Sequence, residues 1–262
     1  IINLSFTQGI FPKALKLAKV FPKLKKNPST SIDNYRPISL LSTISKVIEK
    51  IVLVRLLNHL TVNNIITGQQ HGFLKGRSTT SAIINFTELV LNEIEEGTAI
   101  SAFFLDFSRA FDCLEHDLIL EKMKNMGIRG ITGKWMSSYL KGRSQTVEIA
   151  YTLNNTIYKI RSPPLLIDRG VPQGSVLGPM LFILLTNDLP KYLQEFCQVM
   201  MYADDTALLV AEKQIPELEI SSFVALDMAK QYCHQNNLIL NDRKTQQLNL
   251  GRASAVIHGL PD

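Results

Sequence analysis

The sequence is poor in cysteine and has no long uninterrupted apolar run. Its three cysteines, Cys113, Cys197 and Cys233, are odd in number and far apart, and none belongs to a C-x-x-C pair. This spacing excludes a disulfide scaffold and a thiolate zinc site, and it fits a reducing, intracellular compartment, with nucleus or cytoplasm left open. The longest apolar run, residues 176–185, is interrupted by a glycine and a proline and is shorter than the about 18 residues of a membrane span. We therefore expect no membrane partner.

Two further absences bear on the class of protein. The chain begins with Ile rather than Met, and no basic start leads into an apolar core, so there is no signal peptide to recognise. We expect the chain to be a piece of a longer protein. Its 262 residues suit one large domain or two small ones, and 45% hydrophobic residues exclude a disordered tail or a collagen-like fibre.

The positive charge is modest but uneven. The formal net charge is +5, and the first 26 residues contain no acid. Three groups of basic residues stand out: Lys13, Lys16, Lys19, Lys23, Lys25 and Lys26; Lys75 with Arg77; and Lys141 with Arg143. Such clusters suit phosphate-bearing partners, although a solvated surface is the alternative for each. Charge alone does not distinguish between a nucleic acid, a nucleotide and an acidic protein as the binding partner.

The apolar pattern predicts an α+β protein. Residues 41–60 have helical spacing, and residues 100–107 form a compact apolar run typical of a buried strand. Residues 198–210 predict a hairpin with two acids at its tip, which argues against a purely parallel sheet. Three prolines in residues 1–30 leave room only for short, broken helix. Further predicted elements are helices over 81–95, 116–141 (broken near 127–130), 175–185 and 216–236, a hairpin about Asn154-Asn155, and a strand over 246–250.

Acids at strand ends carry the most informative chemistry. Asp106 ends one apolar strand, and Asp204 and Asp205 sit between two others. An ionised Asp beside a buried strand is costly unless a cation compensates it, and carboxylate oxygens are the ligands that Mg²⁺ prefers. Two such ions about 4 Å apart can activate a hydroxyl and stabilise a leaving oxygen, which suggests nucleotidyl transfer. The alternative is that Asp204 and Asp205 only form the turn.

Three motifs that follow one another in a fixed order favour the catalytic interpretation of these acids over a simple turn. They are FLDFSRAFD (residues 104–112), GVPQGSVLGP (170–179) and MYADD (201–205). Over residues 9–244 the chain resembles the reverse transcriptase domain of non-LTR (LINE-like) retrotransposons. The resemblance implies a right-hand polymerase fold with an antiparallel palm sheet backed by helices. It assigns residues 1–98 mainly to the fingers and residues 99–262 mainly to the palm, with some fingers insertion. We expect the thumb to be absent from this chain or truncated.

The resemblance also assigns the catalytic centre. It implies that Asp106, Asp204 and Asp205 are the catalytic, metal-binding acids, with the backbone carbonyl of Phe107 as a further ligand. The cofactor would be two Mg²⁺ ions, with Mn²⁺ as a substitute. Phe111 matches the aromatic residue that excludes a ribose 2′-hydroxyl, and core packing is its alternative role.

Other matched positions concern nucleotide and template. In NYRPISL (residues 34–40), Arg36 matches the arginine that contacts the incoming triphosphate, and a guanidinium fork suits phosphate oxygens. Lys23 is expected to join it, with Lys25 as the other register. Gln173 and Gly174 match the nucleotide-facing turn, where glycine permits a close backbone approach.

The resemblance assigns two further sets of basic residues. In HGFLKGRST (residues 71–79), Lys75 and Arg77 match template-contacting positions, and Leu74 departs from the basic residue usual there. Lys244 matches a lysine that could protonate the leaving pyrophosphate as general acid. Its alternative is a surface lysine beside a turn.

The sequence therefore predicts an RNA-directed DNA polymerase fragment that adds dNTPs to a primer 3′-hydroxyl on an RNA or DNA template. Endonuclease and thumb segments are expected in the full-length polyprotein. One alternative is a catalytically silent, nucleic-acid-binding remnant of the same fold. Another is an RNA-dependent RNA polymerase, against which Phe111 discriminates.

Overall fold

A computed structural model of the chain describes residues 1–28, 30–108 and 110–251. The helices are α1 (Ile2–Gln8), α2 (Thr43–Val62), α3 (Thr79–Glu95), α4 (Ala110–Cys113), α5 (His116–Asn125), α6 (Gly130–Leu140), α7 (Gly178–Thr186), α8 (Leu189–Leu193) and α9 (Ile215–Gln235). The strands are β1 (Leu17–Leu24), β2 (Tyr35–Leu40), β3 (Ala99–Leu105), β4 (Arg143–Leu153), β5 (Thr156–Arg161), β6 (Leu165–Ile167), β7 (Gln198–Tyr202), β8 (Asp205–Glu212) and β9 (Gln246–Gly251). The interleaved helices and strands confirm the predicted α+β class.

The chain divides into two compact units, each made of two segments. The first unit combines residues 1–63 with 111–181, and the second combines residues 64–110 with those from 182 on. The assignment of residues 1–98 to fingers and 99–262 to palm stays a prediction. Within the part of the chain that is described, none of the helices is both long and apolar enough to cross a lipid bilayer.

The first unit contains a sheet of strand order β2-β1-β4-β5, with β6 paired to β4. Strand β1 runs parallel to β4, and the other pairs are antiparallel. Neither β1 nor β2 is predicted from the sequence, since the prolines of residues 1–30 indicate only short, broken helix and residues 34–40 are identified as a motif rather than as a strand. In the structure Pro22 and Pro37 are cross-strand partners, and Ala18 and Val20 are buried between exposed neighbours, the alternation of an amphipathic strand.

The second unit contains a four-stranded sheet of order β7-β8-β3-β9, in which every pair is antiparallel. The central strand β3 is buried at six of its seven positions, and Ile100 and Phe103 have no exposed surface. Helices α3 and α9 pack on this sheet. The structure thus confirms the predicted antiparallel sheet with helices against it, and the acid-tipped hairpin is β7–β8.

Candidate active site

Strand register brings the three predicted acids to one end of the second unit's sheet. Leu105 at the end of β3 pairs with Thr206 of β8, so Asp106 follows directly at the level of Asp205. On the other side of β8, Tyr202 pairs with Asp205 and closes a turn of two residues, Ala203 and Asp204. The hydrophobic alternation of three strands therefore delivers three carboxylates to the same edge.

The three carboxylates act on one another electrostatically. The pKa of Asp205 is raised by partial burial first, and then by the negative charges of Asp204 and Asp106. Like charges that are forced together disfavour the ionised form of each group. A site that holds this much negative charge favours a cation.

The Asp106 carboxylate is held by two residues of the segment before β9. Its Oδ2 accepts hydrogen bonds from Lys244 Nζ at 3.0 Å and from Asn241 Nδ2 at 3.2 Å. The Asn241 backbone amide also donates to the Asp106 carbonyl oxygen at 2.9 Å. Lys244 therefore lies at the acids, where the resemblance placed it. Asn241 was not singled out in the sequence, because a polar residue in a turn carries no distinguishing signal.

The backbone at Phe107 suits the predicted carbonyl ligand. Phe107 forms an antiparallel bridge with Leu240, in which the Asp106 carbonyl and the Ser108 amide make the hydrogen bonds. The amide and carbonyl of Phe107 itself point away from that partner segment, since donors and acceptors alternate along an antiparallel strand. The Phe107 carbonyl therefore does not bond to that segment, and its role as a metal ligand stays a prediction.

The donor chemistry of this edge fits a divalent metal. Three carboxylates and a carbonyl are hard oxygen ligands, which suit Mg²⁺ or Mn²⁺. In the described part of the chain, no three or more His, Cys, Asp or Glu side chains are already gathered into a metal-binding cluster, and Asp106 instead pairs with Lys244. The residues fit a divalent ion because their ligand atoms are oxygens and because a cation would relieve the repulsion among the three carboxylates. A metal ion bound to Asp106 would replace the ion pair between Asp106 and Lys244.

The first unit brings two predicted triphosphate ligands face to face. Lys23 of β1 and Arg36 of β2 are direct cross-strand partners, and both are exposed. Side chains of such partners lie on the same face of the sheet, and like charges directly opposite are destabilising. An anion between the two would remove that cost, so the register of Lys23 supports its expected role beside Arg36.

The predicted nucleotide-facing turn is fixed by close backbone contacts. The Gln173 carbonyl accepts from the Ser39 amide at 2.8 Å. Gly174 has φ 120°, and a Cβ there would lie 2.9 Å from the Ser39 oxygen, so a larger residue would strain this position. The Gln173 side-chain amide donates to both carboxylate oxygens of Asp112, at 3.1 and 3.0 Å. This contact gives Asp112 a structural partner.

A buried carboxylate that the sequence analysis missed supports this turn from the first unit's core. Glu49 of α2 has no exposed surface, and its Oε2 accepts from the amides of Val176 and Leu177 at 2.7 and 3.2 Å. The same oxygen accepts from the Tyr139 hydroxyl at 3.1 Å, while Oε1 accepts from Ser45. Burial and the Glu49 charge raise the pKa of Tyr139. Glu49 lies on the apolar stripe of α2, and an acid there is the signal that could have revealed it.

The structure shows where the remaining predicted residues lie, and their roles stay predictions. Phe111 lies in α4, half-buried, and its carbonyl accepts from the Val171 amide at 2.9 Å. Lys75 is exposed in the loop before α3. Arg77 uses Nη1 to bind backbone carbonyls of the same loop: Thr67 at 3.2 Å, Gly68 at 2.8 Å, and Gln70. Arg77 therefore orders this loop, and template contact by Lys75 and Arg77 stays a prediction.

Comparison with known proteins identifies the family to which the chain is similar. Residues 23–255 match the family described as reverse transcriptase (RNA-dependent DNA polymerase). The chain is 32% identical over 252 residues to a protein named "Probable RNA-directed DNA polymerase from transposon BS" of Drosophila melanogaster. It is 31% identical over 268 residues to the "RNA-directed DNA polymerase from mobile element jockey" of the same species. These alignments cover 94% and 99% of the chain but only 27% and 28% of the relatives.

A solved structure matches the fold. The apo telomerase of Candida tropicalis, truncated from its C-terminal domain, superimposes with a TM-score of 0.61 and 12% sequence identity. The match covers 94% of this chain and 52% of that one. At this identity the likeness concerns the fold, and it confirms the fold class predicted from the sequence.

Proposed function

The chain belongs to the reverse transcriptase family, and from this premise we propose that it carries the nucleotidyl-transfer centre of an RNA-directed DNA polymerase. The observation that carries the proposal is the strand register that sets Asp106 beside Asp204 and Asp205. The proposed substrates are a primer on an RNA or DNA template and a dNTP. The chain spans about a quarter of the length of the relatives named above, and endonuclease and thumb segments are proposed to lie elsewhere in the full-length polyprotein.

The acids of the second unit would hold two Mg²⁺ ions. Bound there, the metals would lower the pKa of the primer hydroxyl and offset charge on the phosphate oxygens. Asp106 and Asp204 would be the principal ligands, with Asp205 and the Phe107 carbonyl in support. Because phosphoryl transfer is driven mainly by positioning and charge stabilisation, fixed carboxylates on rigid strands are what this chemistry needs.

Residues of the first unit would bind the nucleotide. Lys23 and Arg36 would hold the triphosphate between two cationic side chains, with the Arg fork matching two phosphate oxygens. Gln173 and Gly174 would face the base pair, and Phe111 would exclude a ribose 2′-hydroxyl. Lys244, released from Asp106 when metal binds, would donate the Nζ proton to the leaving pyrophosphate.

Primer extension tests the proposal directly. We expect the chain to extend oligo-dT on poly-rA with dTTP and Mg²⁺, and the Asp204→Asn variant to lose at least about 1,000-fold in rate, since a metal ligand is removed. Asp227→Asn is the matched control, because Asp227 is an exposed acid on α9 that accepts a hydrogen bond from Gln231 of the same helix. Equal rates for the two variants would exclude the assigned acids.

Two further arms separate the alternatives. Retention of the duplex without extension, also when the downstream thumb is restored, would identify a nucleic-acid-binding remnant. Replacing dTTP by UTP tests Phe111: Phe111→Ala should admit UTP, whereas the unaltered chain should reject it. Efficient UTP use by the unaltered chain would favour an RNA polymerase instead.

A further inference from the structure

The turn that carries two of the acids has an unusual residue at its first position. Ala203 has φ 59° whereas Asp204 has no positive φ, which is the pattern of a type II′ turn, and glycine normally occupies the first position of such a turn. The hairpin β4–β5 of the first unit instead has a positive φ at both turn residues, Asn154 (48°) and Asn155 (56°), the type I′ pattern in which asparagine is common. Alanine has no side-chain group to stabilise this conformation, so the turn needs outside support.

That support comes from one buried side chain, Gln70. Its Oε1 accepts a hydrogen bond from the Ala203 amide at 2.9 Å, and its Nε2 lies 3.5 Å from the Ala203 carbonyl. The same Oε1 accepts from the Gly72 amide at 2.7 Å. Gln70 is 1% exposed and Ala203 is 5% exposed, so water does not replace these contacts. One amide group therefore spans both backbone polar groups of the strained residue.

The backbone around Gln70 locks this contact in place. Gln70 forms a parallel bridge with Met201 of β7: the Met201 amide donates to the Gln69 carbonyl at 2.9 Å, and the His71 amide donates to the Met201 carbonyl at 2.8 Å. A Cβ added at Gly72 would lie 2.3 Å from the Ala203 nitrogen, so glycine is needed for this approach. Arg77 Nη1 in turn binds the Gln70 carbonyl.

We propose that Gln70 is a positioning residue for catalysis, which holds Ala203 in its left-handed conformation and thereby fixes the direction of the Asp204 and Asp205 carboxylates. Gln70 touches neither substrate nor metal in this role, and it acts through the turn. Displacement of a reacting group by about 1 Å can cost 100-fold in rate. The catalytic part of the inference rests on the proposed polymerase function, whereas the clamp on the turn does not.

The first test is a Gln70→Ala variant of the full chain. We expect kcat for primer extension to fall about 10- to 100-fold, with the KM for dTTP changed less than about threefold, because the dNTP ligands are untouched. Gln69→Ala is the matched control: Gln69 is the same residue type one position earlier, and its side chain is exposed. Equal effects of the two variants, or a loss confined to KM, would overturn the proposal.

Rescue distinguishes positioning from general loss of stability. Glycine adopts a positive φ without a Cβ penalty, so Ala203→Gly should reduce the turn's dependence on the clamp. We expect the double variant Gln70→Ala/Ala203→Gly to recover at least about threefold of the lost kcat, a non-additive outcome for contacting residues. A double variant as slow as the product of the two single effects would contradict the clamp.

Hydrogen–deuterium exchange provides a readout that needs no polymerase activity. In Gln70→Ala the Ala203 amide loses its acceptor, so the peptide over residues 199–206 should exchange at least about tenfold faster, while residues 99–105 keep their protection. Unchanged exchange at 199–206 would overturn the proposal. If even the unaltered chain fails to extend primers, the polymerase function fails, and this exchange result alone decides the clamp.

Discussion

Each unit has a turn with a proposed function, and in each a buried polar side chain from a distant part of the sequence supports that turn. In the first unit Glu49 binds the amides of Val176 and Leu177 behind the proposed nucleotide-facing turn. In the second unit Gln70 binds the amide of Ala203 in the acid-bearing turn. The supports share a task and differ in charge, since one is a carboxylate and the other a neutral amide.

The charge of each support follows from what its turn carries. The first unit's turn offers Glu49 two backbone amides, and Tyr139 and Ser45 supply hydroxyl donors, so an anion is well solvated by donors there. The second unit's turn already brings Asp204 and Asp205 near Asp106, and partial burial, followed by the charges of Asp204 and Asp106, raises the pKa of Asp205. A carboxylate support would add a fourth negative charge, which a neutral amide avoids.

Removing the anionic support should have the largest effect on stability. Glu49→Ala leaves four donors without this acceptor, three of them buried. Because each buried donor costs about 1–3 kcal/mol when it is left unpaired, we expect the free energy of unfolding to fall by about 3 kcal/mol or more. Urea unfolding followed by Trp135 fluorescence measures this, because the single tryptophan is buried in the same unit. Glu121→Ala, at an exposed position of α5, is the control, and an equally large loss there would refute the support.

Replacing the neutral support of the second unit's turn by a carboxylate, as in the first unit, should slow catalysis. Gln70→Glu preserves size but adds negative charge and loses the donor to the Ala203 carbonyl. We expect a fall of about 100-fold in kcat, equivalent to about 2.7 kcal/mol, with Trp135 unfolding unchanged. A variant that keeps full activity would show that the charge of this support is irrelevant.

The reverse exchange should be milder. Glu49→Gln retains the volume of the side chain and one acceptor oxygen. Its NH₂ group, however, would point at hydrogen-bond donors that now face a carboxylate oxygen. We expect the free energy of unfolding to fall by about 1–2 kcal/mol, less than for Glu49→Ala. If Glu49→Gln were the more damaging of the two, the assigned hydrogen bonds would be wrong.

The smallest expected effect has the opposite sign. The folded-state pKa of Asp205 is raised, so its ionised form destabilises the fold at any pH above that value. Asp205→Asn should therefore raise the Tm by roughly 2 °C at neutral pH with EDTA present, while slowing primer extension. Calorimetry checks the first effect against the exposed control Asp227→Asn, and a lower Tm would contradict the repulsion among the acids.

Local patterns predicted the acid-bearing hairpin, whereas both supports required tertiary structure. Alternation in β3, β7 and β8 and the acids at their ends are visible in short stretches of sequence, so Asp106, Asp204 and Asp205 could be placed in advance. Gln70 and Glu49 act on residues more than 100 positions away, and no short window contains such a contact. Glu49 at least interrupts an apolar helical stripe, while Gln70 has no comparable signal.

The two strands missed in residues 17–40 have a different cause. Proline usually interrupts regular structure, but Pro22 and Pro37 face each other at a non-hydrogen-bonded position of the hairpin ladder, so neither proline removes a backbone hydrogen bond from it. The lysines of β1 indicate a basic cluster that suits phosphate-bearing partners or a solvated surface, and their alternation with apolar residues is the strand signal that this interpretation did not use. As a result the sequence named Lys23 and Arg36, but only the strand register shows that they are partners.

The two-residue turn between β7 and β8 has a consequence for how this segment can change over time. Tyr202 pairs with Asp205, and β8 pairs on its other side with β3, so no slack exists between the strands. Inserting or deleting one residue there would turn every following side chain to the opposite face. A substitution in this hairpin leaves the strand register unchanged, whereas an insertion or deletion does not. Sequences that descend from this one should therefore keep the length of the hairpin even where its residues are substituted.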